Sequence, residues 1–261
     1  MSRVLTADLG NTRLKLRLFR LAEGARAVFE RGIDLERGGA FPAFEDEARA
    51  WLLELGPLER AALSSVAGED DAARIAVLLD LVSGGALALG PDPGLEIRCR
   101  KPAEVGRDRL YAARAALAHC QGPALILDCG TALTVDAALF PGVFLGGAIA
   151  AGPALLARAL GSGAARLFEV EPDPATPALG RDTREALSAG IVHGLRGAAT
   201  HLAALVAREA GIEGARVVVT GGARRFLLEP APIVPAPLVV PHLVHHGLLL
   251  ALGYEPPRDG A

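Results

Sequence analysis

Two short stretches of this 261-residue chain have the residue types that hold a phosphate group. Asp8-Leu9-Gly10-Asn11-Thr12 follows the apolar run Val4-Leu5-Thr6-Ala7, and Asp128-Cys129-Gly130-Thr131-Ala132 follows Ala124-Leu125-Ile126-Leu127. Each aspartate therefore emerges where a buried strand meets a turn. A carboxylate there can reach a cation, and the glycine behind it lets backbone N–H groups close on phosphate oxygens. The two aspartates are spaced by 128 − 8 = 120 residues, about one domain, so the chain reads as the same unit twice. Two such loops facing each other across a cleft would hold a nucleotide and its metal.

In the first motif, Thr12 adds a hydroxyl, Lys15 lies on the strand beyond the turn, and Asp8 is placed to hold hydrated Mg²⁺. Taken alone this is also an ordinary Asn/Gly hairpin with a surface lysine. The second motif, Asp128 to Asp136, has the same logic and the same plain alternative; both at one-domain spacing favour phosphate binding. Gly221-Gly222 after Val217-Val218-Val219-Thr220 would let a base or ribose lie against the backbone, although a strand-to-helix turn uses glycines too. Asp108 stands before the helix opening at Leu110 and suits an N-cap. Its neighbours Arg107 and Arg109 add a second reading, a carboxylate kept ionised by two guanidinium groups beside an anionic substrate.

These loops need elements to carry them. Val4–Asp8 and Arg13–Phe19 read as paired strands, with Leu14, Leu16 and Leu18 alternating against Lys15 and Arg17. Helices are expected over Phe44–Leu55, Asp71–Val82, Arg109–His119, Pro153–Leu160 and Thr183–Ala210, and strands over Arg60–Val66 and Val217–Val219. The Pro-rich stretches Glu171–Pro177 and Pro230–Pro241 read as loops or edge segments. Alternating strands and helices imply an α/β fold. The length allows two domains, joined near residues 110–122 and divided as 1–115 and 116–261.

Apolar residues make up 51% of the chain but aromatics only 4%, so Ala, Leu and Val must build the core. A net charge of −3 gives no general attraction to nucleic acid or an anionic membrane. Cys99, Cys120 and Cys129 form no C-x-x-C pair and suggest no disulfide framework. The first apolar stretch is too short for a signal peptide, and glycines with Arg158 break the Ala-rich run 142–160 as a membrane span. A cytoplasmic protein is expected. His242, His245 and His246 have a spacing that could ligate zinc on one helical face. No neighbouring Glu or Cys completes a set, and a structural helix start in the second domain is the favoured reading. His119 and His193 read as packing or surface residues.

Taken together, Asp8–Lys15, Ser64-Ser65-Val66, Pro102 with Gly106, Asp108 and Arg109, Asp128–Asp136, Gly146-Gly147 with Ile149, Gly180 with Thr183, Thr220-Gly221-Gly222 and Gly247-Leu248 resemble the type III pantothenate kinases of the acetate and sugar kinase/Hsc70/actin superfamily. The resemblance runs the whole chain. It implies two ribonuclease-H-like (actin-like ATPase) domains with an ATP cleft between them, a homodimer, and phosphorylation of pantothenate by ATP with Mg²⁺ and a monovalent cation, K⁺ or NH₄⁺.

Carried over by position, the resemblance puts ATP phosphates on Asp8, Gly10, Asn11, Thr12, Lys15 and Thr131, the nucleotide on Gly221 and Gly222, and the monovalent cation on Asp128. Pantothenate falls to Gly106, Arg107, Asp108, Arg109 and Thr183, with Asp108 as general base. Three positions depart from the family's pattern: Cys99 where Tyr is usual, Arg107 for a small residue, and Asp182 for Asn. Two rivals are a nucleotide-binding regulatory or accessory protein of this fold with weak catalysis, and a superfamily kinase acting on a sugar or carboxylate.

Overall fold

The computed structural model describes residues 2–22, 25–37, 41–163 and 166–258. The chain packs as two compact units. The first takes the residues up to Glu96, Arg100–Ala115 and the segment from His242 onward; the second takes Ile97–Cys99 and Ala116–Pro241. A single division after residue 115 therefore leaves out the return of the C-terminal segment to the first unit.

The first unit holds a five-stranded sheet. β1 (Arg3–Leu9), β2 (Arg13–Leu21) and β3 (Ala27–Glu36) form an antiparallel meander, and β4 (Arg60–Ser65) and β5 (Leu87–Leu89) add in parallel beside β1, giving the order β3-β2-β1-β4-β5. The period-two pattern decides the faces. Leu5, Ala7 and Leu9 with Leu14, Leu16 and Leu18 turn to one side, where they pack with Phe44, Leu52, Ile75 and Leu79 of α1 (Phe41–Leu53) and α2 (Glu69–Ser83). Thr6, Asp8, Lys15 and Arg17 turn to the other. Burial of the apolar face fixes register, since a one-residue slip would exchange the two sets.

The second unit repeats the topology. β7 (Ala124–Cys129), β8 (Ala132–Leu139) and β9 (Val143–Ala151) form the meander, and β10 (Arg216–Thr220) and β11 (Leu238–Val239) run parallel beside β7. With the short β6 (Glu96–Ile97) at the β9 edge, the order is β11-β10-β7-β8-β9-β6. Leu125, Leu127, Leu133 and Val135 pack on Val192, Leu195, Ala199 and Ala203 of the long α5 (Thr183–Glu209). A smaller cluster joins α5 to Ala157 of α4 (Pro153–Gly163). The expected helices and strands are present, with ends displaced by a few residues. Strands β3, β8 and β9 lie outside the expected set, although β3 alternates Phe29, Ile33 and Leu35 with Glu30, Asp34 and Glu36; Gly147 of β9 is needed because a Cβ there would lie 1.9 Å from the Val135 carbonyl oxygen.

Two expectations are corrected. α3 spans Arg107–Cys120, so Asp108 lies inside its first turn rather than capping a helix that starts at Leu110. α7 (Leu243–Ala251), preceded by His242, packs against β1 and β4 of the first unit, not in the second domain. Gly247 permits this approach, since a Cβ would stand 2.1 Å from the Tyr111 carbonyl oxygen. Among the described residues no helix is long and apolar enough to cross a membrane.

Candidate active site

In the first unit the β1–β2 hairpin brings Asp8 opposite Lys15, with the Lys15 Nζ 3.7 Å from Asp8 Oδ2. Asp8 is 6% exposed, and its Oδ1 has no hydrogen-bond partner in the structure. Burial pushes the Asp8 carboxyl up from its ordinary range; Lys15 opposes this, and the charge of Asp108 adds to it. The hairpin aspartate and the Gly106–Arg109 segment thus share one electrostatic environment. A buried carboxylate oxygen with no protein donor fits a hydrated divalent cation. Ser64, in register with Asp8 on the neighbouring β4, is fully buried and its Oγ also has no partner.

The backbone enters α3 at Gly106, where a Cβ would meet Asp108 Oδ1 at 2.6 Å. Asp108 Oδ1 accepts from the Arg109 N–H at 2.8 Å. Arg107 points elsewhere: its Nη1 donates to the Gly90 carbonyl at 2.8 Å, while the Tyr111 hydroxyl donates to the next carbonyl, Pro91, at 2.5 Å. These bonds tie the start of α3 to the chain after β5.

The polar stripe of the hairpin continues beneath Asp8. Arg17 is buried, donates to the carbonyls of Leu16 and Ile33, pairs with Asp34, and reaches His242 Nδ1 with its Nε at 3.2 Å. His245 Nδ1 lies 2.9 Å from the Thr6 hydroxyl. Burial holds the His245 pKa well below its usual value, and the charges of Arg17 and Lys15 reinforce this, so the imidazole is neutral. His242, His245 and the neighbouring His246 serve as packing and hydrogen-bonding partners of the hairpin. Among the described residues no group of three or more His, Cys, Asp or Glu could hold a metal ion.

In the second unit Asp128 is the penultimate residue of β7, in register with Thr220 of β10. Gly221, at φ 97°, sits so close that a Cβ would lie 2.2 Å from the Cys129 carbonyl oxygen and 2.4 Å from Asp128 Oδ1. The Gly130 N–H donates to Ala132 at 2.8 Å, and Gly152 N–H donates to the Thr131 carbonyl at 3.0 Å. Asp128, Gly130, Thr131, Gly152 and Gly221 therefore form one tight backbone cluster. Burial and the Asp128 charge push the Cys129 thiol up to about 12, which leaves it unreactive. Thr183 takes no part in these contacts. It is exposed at the start of α5, where Asp182 caps the helix by accepting from the Glu185 N–H at 2.8 Å, and Glu185 returns a bond to the Arg181 N–H.

Thr6, Arg17 and Gly152 meet partners distant in the chain and leave no spacing signal in the sequence. Asp8 and Asp108 are 108 − 8 = 100 residues apart in sequence, and the fold brings them within electrostatic reach.

Among known proteins, the family model described as type III pantothenate kinase matches residues 4–205. The type III pantothenate kinase of Agathobacter rectalis is 38% identical over 138 residues, 53% of this chain and 53% of that protein, so the alignment spans about half the relative's length. The type III pantothenate kinase of Dehalococcoides mccartyi is 30% identical over 256 residues, 94% of both. A solved structure from Campylobacter jejuni, named as a Baf family transcriptional activator, superposes with a TM-score of 0.58 at 18% identity, covering 95% of this chain and 97% of that one. This last likeness is one of fold.

Proposed function

The chain belongs to the type III pantothenate kinase family, and on that premise we propose that it transfers the γ-phosphoryl group of ATP to the primary hydroxyl of pantothenate, the first step of coenzyme A synthesis. The observation that carries this reading is the buried Asp8 carboxylate at the hairpin, 3.7 Å from Lys15 and with its Oδ1 lacking a hydrogen-bond partner.

In phosphoryl transfer little covalent chemistry falls to the protein, so its work is alignment and charge neutralisation. The N–H groups of Asn11 and Thr12, with Lys15, take phosphate oxygens of ATP, at a turn that the Gly10 N–H closes by donating to the Arg13 carbonyl at 2.9 Å. Thr131 adds a second phosphate contact, and the backbone of Gly221 and Gly222 lies against the nucleoside. Asp108 orients the pantothenate hydroxyl and accepts its proton, and Arg109 pairs with the substrate carboxylate. Asp8 would hold hydrated Mg²⁺ and Asp128 the monovalent cation, and these ions would supply positive charge at the phosphates. Arg107, bonded to Gly90, shapes the substrate segment, and Thr183 completes the set of pantothenate contacts.

A cytoplasmic homodimer is part of the same reading. The exposed apolar side chains of Ile149 (63%) and Leu179 (75%) on the second unit support self-association.

A coupled ATP-to-ADP assay of the purified protein tests the proposal, run with and without pantothenate in potassium and in sodium buffer. Pantothenate-dependent ADP formation, faster in potassium, is expected. ATP binding with no pantothenate-dependent turnover would instead favour an accessory nucleotide-binding role.

A further inference from the structure

We propose that Arg37 is a positioning residue for the phosphate-binding hairpin, a clamp that turns the Gly10–Thr12 backbone so that the N–H groups of Asn11 and Thr12 face the nucleotide. The inference rests on the reading that this hairpin binds ATP phosphates. Arg37 follows directly on β3, whose last residue, Glu36, pairs with Arg13 of β2. From there it takes three consecutive carbonyls of the turn. Its backbone N–H donates to Thr12 at 2.8 Å, and its Nη1 donates to Gly10 at 2.7 Å and to Asn11 at 3.2 Å. Nη2 pairs with the carboxylate of Asp71 in the first turn of α2. The Arg37 side chain is 16% exposed, so these bonds are partly shielded from water.

In a trans peptide the carbonyl and the N–H of the next residue point in opposite directions. With the Gly10 and Asn11 carbonyls both drawn to one guanidinium, the N–H groups of Asn11 and Thr12 are turned to the opposite side. Successive N–H groups aimed one way form an anion-binding concavity. The turn is short and rich in Gly and Asn, residues that allow many backbone conformations, so an unclamped turn would leave these donors unaligned. Asp71 holds the guanidinium in place from a rigid helix and offsets its charge. A planar fork with several donors can serve two carbonyls and a carboxylate at once, which a lysine ammonium cannot do in the same geometry.

The test uses the full chain with Arg37→Lys, Arg37→Ala and Asp71→Asn, read by calorimetric ATP binding, by KM for each substrate and by thermal melts. Charge-assisted bonds of this kind typically carry enough free energy for a change of about tenfold or more. Arg37→Ala should therefore weaken ATP binding about tenfold or more while the pantothenate KM stays within twofold. Arg37→Lys should recover a small part of the loss, and Asp71→Asn should shift ATP binding in the same direction by less. If Arg37→Ala fails to fold, the Arg37→Lys and Asp71→Asn comparison decides alone. ATP binding equal to wild type in those two variants overturns the clamp, as does an equal rise in both KM values. Absence of ATP binding in the wild-type protein would instead sink the underlying reading of the hairpin.

Discussion

Replacing Asp108 by Asn separates chemistry from architecture, because the structure limits what the change can cost the fold. Asp108 Oδ1 accepts from the Arg109 N–H at 2.8 Å, and an Asn side-chain oxygen keeps that bond. What disappears is one negative charge in the first turn of α3, an effect of about 0.3–1 kcal/mol. For a chain of this size that corresponds to a fall of about 1–4 °C in melting temperature. Loss of a general base costs about a hundredfold to ten-thousandfold in turnover, or about 3–5 kcal/mol of barrier. The kinetic loss should therefore exceed the stability loss several-fold. A second readout follows from the coupling to Asp8. The Asp108 charge helps push the Asp8 carboxyl up, so its removal lowers the Asp8 pKa, and the acid limb of ATP binding should move to lower pH. Steady-state kinetics, ATP titrations against pH and a thermal melt measure all three. Turnover within threefold of wild type would refute the role of base, and a melting temperature lowered by 10 °C or more would show that the side chain is chiefly structural.

Three further outcomes are expected. Gly247→Ala should destabilise the first unit by about 3 kcal/mol or more, because the new Cβ meets the Tyr111 backbone at 2.1 Å rather than a side chain that can swing away; a melting temperature within 2 °C of wild type would contradict this packing. His245, held neutral by burial, has a folded pKa below its usual 6.5, so below that pH the unfolded chain binds a proton that the folded chain refuses. Stability should be full above about pH 6.5 and fall on acidification by up to about 1.4 kcal/mol per pH unit; melts from pH 7.5 to 5 should show a shallower slope for His245→Gln, and identical slopes would reject the assignment. Asp128→Asn should lower activity and weaken activation by potassium with the fold intact, and unchanged potassium activation would remove the monovalent cation from this residue.

The sequence alone carried the repeated strand-turn signature at Asp8 and Asp128, because apolar alternation and glycine are local properties of the chain. Leu14, Leu16 and Leu18 announce β2 by their period, and the Ala-rich run from Thr183 announces α5, with its ends set by Asp182 and the turn after Glu209. Strand β9 was not legible, since Gly146-Gly147-Ala148 offers no apolar alternation and Gly147 packs by close backbone approach to Val135. Tertiary structure alone decided which distant residues share an environment. It returned α7 to the first sheet, because only there can Gly247 lie against Tyr111 while His245 meets Thr6. It set Asp108 within electrostatic reach of Asp8, diverted Arg107 to Gly90, and placed Arg37 against the Gly10–Asn11 carbonyls of the β1–β2 turn. Such contacts depend on the register of paired strands and on the packing of helices over them, and neither leaves a mark in the spacing of the residues that make them.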